Sequence, residues 1–483
     1  MHKRVLFVIS IYNYHREVEP VVYKFIEEGW QVDVLLGWHD QTALDAESVY
    51  EERGAHVLWT PFEMAYGPGF PSTNENKNSS INTCSETTNS HVSIIDKLKA
   101  TLKGAIKKVP FILVSVETLF HLRRISRLKK FTEHFFNKNQ YSAIFQGPFH
   151  SVGRLDNAFY CQARTRGVPN YCYPVSAYHG YKIAIQARHD NIINGMLPKR
   201  LFVNDSIENR CFALLYKRGT ISVIGERIFL NTPPLMLASY LSGLELDLNW
   251  AKPQPGFDKV FVYSEFSREL LNDGHFPLSK VEVSGIPLFD DVIELINSKE
   301  RTKELFLWLG LEDGQEFILF NVEPSFEHHY CDEKKHWDNF ENMMRCVSGL
   351  DLPVILSLHP LCKLENYEYA EKKWGVTISR REKIHSLYPF CKLVVSFACS
   401  TNLFSETFGK QLFIYDFFNM ILNDSPRAWE FKLKNSLCAD TPEGVKKHLK
   451  AFLSQNHVQR KSSINLQKAC DKIFTAVRDD SKL

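Results

Sequence analysis

The 483-residue sequence lacks several features that would place it directly in a protein class. Its 11 cysteines form no C-x-x-C pair and have no regular spacing, which argues against zinc ribbons and redox motifs. No stretch reaches the ~18 uncharged apolar residues expected of a membrane-spanning helix. With 58 Lys and Arg against 56 Asp and Glu, the formal net charge of +2 gives no general argument for nucleic-acid binding.

Other absences bear on compartment and architecture. Scattered cysteines are typical of free thiols in a reducing cytoplasm. The first apolar run, residues 5–11, is too short to span a bilayer and has no small-residue cleavage site, so we expect a buried strand there. No internal repeat or coiled-coil pattern is present. We therefore expect a globular, cytoplasmic protein of two or three domains, with peripheral association with the inner face of the membrane as an open alternative.

Short apolar runs alternate with helical stretches along most of the chain. A strand is predicted at residues 5–10, a loop at 11–16, a helix at 19–28 that ends at Gly29, and a second strand at 31–36. This order is half of a mononucleotide-binding fold, although no G-x-G-x-x-G fingerprint is present. Further strands are predicted at residues 143–147, 169–173, 259–264, 280–284 and 317–320, and helices at 265–272, 444–453 and 464–477.

The clearest pattern lies between residues 352 and 418. Three apolar runs, 353–358, 393–396 and 411–415, end respectively at His359, at Ser400-Thr401 and at Asp416, with helical stretches between them. This alternation predicts parallel strands, whose carboxyl ends bind ligands in α/β sheets. Small hydroxyl residues leading into a helix are suited to hold phosphate. The pattern therefore predicts a site for a nucleotide monophosphate or diphosphate.

Two groups of residues carry a resemblance to a known family. The segment from residues 261–264 to 283–287, followed by Asp290, is similar to the one that closes the N-terminal domain of GT-B glycosyltransferases and of UDP-GlcNAc 2-epimerases. His359-Pro360 followed by residues 396–401 resembles the His-Pro and Ser/Thr motifs of bacterial transferases that use CMP-sugars. The resemblance covers residues 259–418 well and the first strand, loop and helix more loosely.

The resemblance implies an α/β fold of GT-B type, in which two Rossmann-like domains face a cleft. Residues 1–288 would form the acceptor-side domain, residues 289–455 the nucleotide-sugar-binding domain, and residues 456–483 a C-terminal helix. Within the first domain, the Asn/Ser/Thr-rich residues 68–92 are predicted to be a flexible insertion. Residues 94–137 form a basic helical segment, which either lies on an anionic membrane or is an ordinary solvated helix.

Six residues are candidates for nucleotide binding. The resemblance places His359 and Pro360 at the donor phosphate, where the imidazole would donate a hydrogen bond and the proline would fix the turn. The others are Ser396, Ser400, Thr401 and Glu406, with Glu406 placed at the donor ribose. Each also has a purely structural interpretation: a satisfied strand-end histidine, helix-capping hydroxyls and an exposed helix carboxylate.

Glu323 and His15 are the catalytic candidates. Glu323 follows the strand at residues 317–320 and corresponds in position to an acidic residue ahead of the His-Pro motif in some Kdo transferases; Glu327 is its rival. His15 lies in the first predicted loop, where GT-B enzymes place an acceptor-side base or donor contact, and His179 is a second candidate. A metal site at His328, His329 and Asp332 is not favoured, and no cofactor is expected beyond the donor substrate.

The predicted activity is transfer of a sugar, favoured to be Kdo or a sialic-acid relative from a CMP donor. The acceptor would be a cell-surface polysaccharide or lipid-linked glycan, as in capsule and lipopolysaccharide synthesis. A carboxylate or histidine would deprotonate the acceptor or attack the anomeric carbon. Two alternatives remain open: an enzyme similar to UDP-GlcNAc 2-epimerases and a non-catalytic polysaccharide-assembly protein. No nucleic-acid partner is expected.

Overall fold

The chain folds into two compact units, described here from a computed structural model. The first comprises Met1–Ser284 with Asp471–Leu483, and the second comprises Gly285–Cys470. The structure describes residues 3–10, 12–61, 110–147, 155–173, 189, 192–193, 199–215, 220–223, 225–229, 231–244, 254–272, 276–327, 331–359, 362–381, 383–397, 399, 401–417, 433, 435–454 and 468–480. The predicted insertion at residues 68–92 and the candidates His179, Pro360 and Ser400 lie outside the described residues.

The first unit contains a seven-stranded parallel sheet of order β3-β2-β1-β4-β5-β8-β9 and a separate antiparallel pair, β6-β7. Its strands are β1 (Arg4–Ile9), β2 (Gln31–Leu36), β3 (His56–Trp59), β4 (Ala143–Gln146), β5 (Asn170–Cys172), β6 (Thr220–Val223), β7 (Glu226–Phe229), β8 (Lys259–Val262) and β9 (Val281–Val283). Its helices are α1 (Tyr12–Glu27), α2 (Gln41–Glu52), α3 (Pro110–Lys138), α4 (Leu155–Thr165), α5 (Ile207–Leu215), α6 (Pro233–Ser242) and α7 (Glu265–Asn272).

Helix α1 begins earlier than the sequence predicted. Residues 11–16 were expected to form a loop, but α1 starts at Tyr12. The reason is an apolar stripe at helical spacing, in which Tyr14, Val18, Val21 and Phe25 are all buried. Polar residues between Tyr12 and Arg16 concealed this stripe in the sequence. His15 is therefore a residue of the first helical turn and not of a loop.

Helix α3 has one buried and one exposed face. Thr118, Ile125, Leu128 and Thr132 are buried on one side, where Ile125 and Leu128 join a core cluster that includes Ala238 of α6. The sequence predicted helix over residues 94–137, and the described part of that segment confirms it from Pro110 onward. Within the described ranges, no helix has the length and hydropathy needed to span a bilayer.

The second unit is built on a six-stranded parallel sheet of order β12-β11-β10-β13-β14-β15. Its strands are β10 (Ile318–Val322), β11 (Val354–Leu358), β12 (Thr377–Ile378), β13 (Leu393–Ser396), β14 (Gln411–Tyr415) and β15 (Ser436–Ala439). Its helices are α8 (Phe289–Asn297), α9 (Lys299–Trp308), α10 (Glu333–Val347), α11 (Tyr369–Trp374), α12 (Ile384–Leu387), α13 (Asn402–Thr407) and α14 (Pro442–Ser454).

The chain passes between the units twice. Gly285 has a φ of +94°, a backbone conformation that favours glycine, at the start of the second unit. The chain returns to the first unit through helix α15 (Ala469–Asp480). The first two backbone amides of this helix donate to the Asp290 carboxylate, from Ala469 N at 2.7 Å and from Cys470 N at 2.9 Å. Asp290, which the sequence singled out only by resemblance, is thus the cap of α15.

The rest of α15 belongs to the first unit. Phe474 packs edge-on against Phe25 and Trp30, with ring centroids 5.1 and 6.1 Å apart, and Lys24 pairs with Asp471 at 2.6 Å. The predicted division placed residues 456–483 in a helix of their own. In the structure, the chain from Asp471 onward completes the core of the first unit.

The two parallel α/β sheets confirm the predicted fold class. All ten strands expected from apolar runs are present, with bounds that differ by a few residues. The sequence did not indicate β3, β6, β7, β12 or β15. Four of them, β3, β7, β12 and β15, are only partly buried, so they are not continuous apolar runs in the sequence.

Candidate functional site

Strand register brings three predicted segments to one edge of the second sheet. In β10, Val322 pairs with Leu358 of β11, and Asn321 pairs with Ser396 of β13. Because the three strands are parallel, the residues that follow them emerge side by side. Glu323 therefore lies next to His359, whose backbone N–H donates to Val322 O at 3.2 Å. The loop after Ser396 leaves the sheet on the other side of β10.

Glu323 is the most perturbed carboxyl group at this edge. Burial raises its pKa from the ordinary 4.5 to about 8. Its negative charge, when present, contributes to the raised pKa of the neighbouring Cys399 thiol, which is about 11 and is caused first by burial. A carboxyl with a pKa near the working pH can both hold and accept a proton, which is the property that general acid–base catalysis requires.

Glu327 lies on the same side of the sheet and is half-buried. Its Oε2 atom is buried and has no hydrogen-bond partner among the described residues. The Glu327 carboxylate interacts electrostatically with His336 and Tyr367. These two side chains are hydrogen-bonded to each other, with 2.8 Å between His336 Nε2 and Tyr367 Oη. Burial lowers the pKa of His336 despite the nearby Glu327. Both glutamates act electrostatically on the Cys331 and Cys362 thiols, whose pKa values are raised first by burial.

The loop between β13 and α13 is held by its own side chains. The Ser396 hydroxyl is fully buried and donates to Phe397 O at 2.8 Å. Cys399 Sγ lies 3.2 Å from Ser396 Oγ and 3.1 Å from Thr401 Oγ1. Asn402 Nδ2 donates to Phe397 O at 2.8 Å. Ser396 therefore organises the loop, and phosphate contacts by Ser396 and Thr401 stay predictions.

A buried hydrogen-bond chain ties this loop to β10. Asn321 Nδ2 donates to Tyr388 Oη at 2.7 Å, and the Tyr388 hydroxyl donates to Thr401 O at 2.8 Å. Both side chains are buried, so the chain is protected from competing water. Neither Asn321 nor Tyr388 was predicted as a site residue from the sequence. A polar asparagine inside the apolar run of β10 was the available signal.

Helix α13, which follows the residues predicted to bind phosphate, is short. It has six residues, its N-cap Thr401 makes no side-chain capping hydrogen bond, and Gly409 follows it with a φ of +62°. So short a helix has a weak dipole, and any anion bound here would depend on loop amides and side chains. Glu406 is exposed on α13, and its contact with a ribose stays a prediction.

His359 is exposed at the end of β11 and its backbone is fixed on both sides. Its carbonyl accepts from Cys362 N at 2.8 Å, while its own N–H bonds to β10. This turn presents the imidazole at the same sheet edge as Glu323 and Thr401. Glu323, His359 and Thr401 thus follow three strands that end at the same edge of the sheet.

His15 belongs to the first unit and is buried there. Its Nδ1 atom is 2.9 Å from Tyr50 Oη, and its Nε2 atom is 3.9 Å from Glu19 Oε2. The ring of Tyr14 packs over Gly147 so closely that a Cβ at that position would approach it to 2.5 Å. His15 is thus part of a packed aromatic cluster, and its catalytic role stays a prediction.

Among the described residues, no group of three or more His, Cys, Asp or Glu side chains could hold a metal ion. His328 and His329 lie outside the described residues. Asp332 is the N-cap of α10, where its Oδ1 accepts from Lys335 N at 2.8 Å.

Comparison with solved structures agrees with this architecture. The kitacinnamycin glycotransferase superposes with a TM-score of 0.53 at 10% identity, covering 99% of this chain and 98% of the other. UDP-GlcNAc 2-epimerase from Neisseria meningitidis, bound to UDP-GlcNAc, gives 0.50 at 11% identity, covering 99% and 100%. A Listeria monocytogenes protein assigned as a UDP-GlcNAc 2-epimerase gives 0.51 at 11%, covering 100% and 97%.

These similarities establish a GT-B-like fold of two parallel-sheet α/β units. The neighbours are named as glycosyltransferases or UDP-GlcNAc 2-epimerases, both of which are classes of enzyme. At 10–11% identity the likeness is one of fold. No protein-family model matches the chain, and no curated protein is significantly similar to it in sequence.

Proposed function

We propose that the protein is a nucleotide-sugar-dependent glycosyltransferase, with the nucleotide bound at the edge where Glu323, His359 and Thr401 follow their strands. The observation that carries this proposal is the position of Glu323, a carboxyl with a pKa near 8 directly beside the turn of His359. Ligands of α/β sheets bind at the carboxyl ends of strands, and this edge is where β10, β11 and β13 end together.

Glu323 would act as the general base. It takes the proton from the acceptor hydroxyl while the acceptor oxygen bonds to the anomeric carbon. The bond from that carbon to the donor phosphate breaks, and its electron pair leaves with the nucleotide. A carboxylate of raised pKa is a stronger proton acceptor than an ordinary one, and a pKa near the working pH is matched to proton transfer. His359 and the loop amides would stabilise the charge on the departing phosphate.

The favoured donor is a CMP-activated sugar acid such as Kdo or a sialic-acid relative. This finer choice rests on the resemblance of His359-Pro360 and residues 396–401 to the motifs of CMP-sugar transferases. The acceptor would be a cell-surface polysaccharide or lipid-linked glycan. No bound cofactor is proposed.

A UDP-GlcNAc 2-epimerase-like activity is the second candidate. It is favoured by the fold shared with the Neisseria meningitidis enzyme, which binds UDP-GlcNAc. The half-buried pair Glu323 and Glu327 could also exchange a proton with a sugar carbon. This activity would need no glycan acceptor, so acceptor dependence separates the two candidates.

The test begins with thermal-shift titration of CMP, CDP, UDP and GDP. We expect CMP to stabilise the wild type most, and His359→Ala to lose about 1.5–3 kcal/mol of that binding because a charge-assisted hydrogen bond is removed. Binding of UDP alone would overturn the donor class. A protein that binds none of the four would overturn the proposed activity.

Turnover is then measured with CMP-Kdo plus acceptor and with UDP-GlcNAc alone. Glu323→Gln should bind CMP nearly as well as wild type and turn over at least ~10²-fold more slowly. Since the carboxylate is the active form of a base, kcat/KM of the wild type should rise with pH and level off above about 8. Glu327→Gln is the matched control. Normal turnover by Glu323→Gln together with loss in Glu327→Gln would transfer the role to Glu327.

A further inference from the structure

The exposed face of α3 carries apolar and basic side chains in a single stripe. Val116, Leu119 and Phe120 are 48%, 65% and 60% exposed. Exposed cations continue the same face toward the C-terminal end of the helix. We call these residues together the α3 stripe: Val116, Leu119, Phe120, Arg123, Arg127 and Lys130. Their spacing of three or four residues places them above one another on one side of the helix.

The α3 stripe is not part of the protein core. The opposite face of the helix, which includes Ile125 and Leu128, supplies the packing against the first unit. Of the eight exposed large apolar residues that the structure describes in the first unit, five lie on α3 and on α6, which packs against it. The two on α6 are Tyr240 and Leu241, which are 57% and 58% exposed. Exposed apolar surface is thus concentrated in one region.

The charge of this surface has one sign. From residue 115 to residue 138, the exposed residues of α3 include no acidic side chain, while Glu117 and Glu133 are half-buried at its flanks. Five lysines between Lys97 and Lys108 precede the helix in the sequence and add to the positive charge of this segment. The chain as a whole is nearly neutral, so this segment is a local departure from the average.

We propose that the α3 stripe docks on the surface of a bilayer that contains anionic lipids. Val116, Leu119 and Phe120 would enter the boundary between headgroups and acyl chains, and Arg123, Arg127 and Lys130 would bind lipid phosphates. An interfacial helix needs this combination of exposed apolar residues and cations without acids. An anionic bilayer supplies phosphates along the whole stripe, which matches three exposed cations that have no exposed acidic residue beside them on the helix. The inference does not depend on the proposed enzymatic activity.

Vesicle sedimentation tests the inference on the full chain. Wild type should bind vesicles of phosphatidylcholine mixed with phosphatidylglycerol and bind pure phosphatidylcholine much less. Arg123→Gln/Lys130→Gln should weaken partitioning on the order of 10- to 30-fold, since each cation near an anionic surface contributes on the order of 1 kcal/mol. Leu119→Ser/Phe120→Ser should weaken binding to both kinds of vesicle. Added salt should reduce the effect of the cations.

Helix α9 of the second unit provides matched controls. Lys299→Gln/Lys303→Gln removes two exposed cations, and Leu307→Ser removes an apolar side chain that is 74% exposed. These variants should bind vesicles as wild type does. Failure of the wild type to bind anionic vesicles, or equal losses in the α9 and α3 variants, would overturn the proposal. So would a concentration-dependent dimer in lipid-free sedimentation that Leu119→Ser/Phe120→Ser abolishes, which would assign the stripe to a second copy.

Discussion

At Glu323, the fold that positions the carboxyl group also shields it in part from water. The residue follows a strand in which all five residues are buried, and burial is the named cause of its raised pKa. The folded protein therefore keeps the Glu323 proton between about pH 4.5 and pH 8, whereas the unfolded chain releases it near pH 4.5. The contribution of this residue to stability must fall as the pH rises through that window.

Glu323→Gln should become more stable relative to wild type as the pH is raised from 5 to 9. Each pKa unit corresponds to about 1.4 kcal/mol, so the difference in free energy of unfolding should change by roughly 2–4 kcal/mol. Urea unfolding of both proteins at several pH values measures this difference in free energy of unfolding. Glu406→Gln, which removes an exposed carboxyl from the same unit, controls for net charge. A difference that does not change between pH 5 and 9 would mean that Glu323 is well solvated.

At the scale of single elements, helix α15 depends on a residue far away in sequence. The Asp290 carboxylate accepts from two amides of its first turn, 179 and 180 residues along the chain. This carboxylate is buried and satisfies N–H groups that a helix start otherwise leaves unpaired. A carboxylate there also interacts favourably with the positive end of the helix dipole.

Asp290→Ala should lower the free energy of unfolding by about 2 kcal/mol, at the upper end of helix-capping effects because the amides are left buried. Asp290→Asn keeps one acceptor and should lose less. Asp332→Ala is the comparison, since Asp332 caps α10 from an exposed position and should cost about 1 kcal/mol. Urea unfolding provides the values. If Asp290→Ala lowers the free energy of unfolding no more than Asp332→Ala does, the two buried hydrogen bonds of Asp290 contribute little to stability.

The elements also show where sequence reasoning works and where it stops. The strands β10, β11, β13 and β14 were predictable because buried parallel strands are continuous apolar runs. The start of α1 was not, because Tyr14 and His15 face a core that only the folded sheet creates. In α3, periodicity located the helix, but Leu119 and Leu128 look alike in sequence. Which of them is exposed depends on the side against which α4 and α6 pack.

The candidate site likewise has parts that the sequence predicts and parts that it does not. Glu323, His359 and Thr401 could be found because each follows a strand, and strand ends share an edge. The pKa of Glu323, the short α13 and the chain from Asn321 through Tyr388 depend on contacts between distant segments. Those contacts cannot be predicted from the local sequence pattern.

At the scale of the whole molecule, each unit has its own core, but the first is completed by the chain beyond the second. Phe474 of α15 is 5% exposed and packs on Phe25 and Trp30. A substitution there should act on β1 and β2, which begin more than 400 residues earlier in the chain.

Phe474→Ala should reduce stability by about 3–5 kcal/mol, the usual cost of emptying a buried aromatic site. Hydrogen exchange should show the loss in β1 and β2 of the first unit. Phe340→Ala removes a ring of similar burial from the second unit and should instead speed exchange in β10. If both variants affect the same strands, the two cores do not respond separately.

The double passage between the units has a consequence for biosynthesis. Ribosomes add about 5–20 residues per second, so the stretch from Gly285 to Cys470 takes roughly 10–40 s to make. During that interval the aromatic surface of Phe25 and Trp30 has been synthesised, but its covering residue Phe474 has not. During this interval the aromatic surface of the nascent first unit lacks its covering residue. We therefore expect chaperones to bind the nascent chain at this surface.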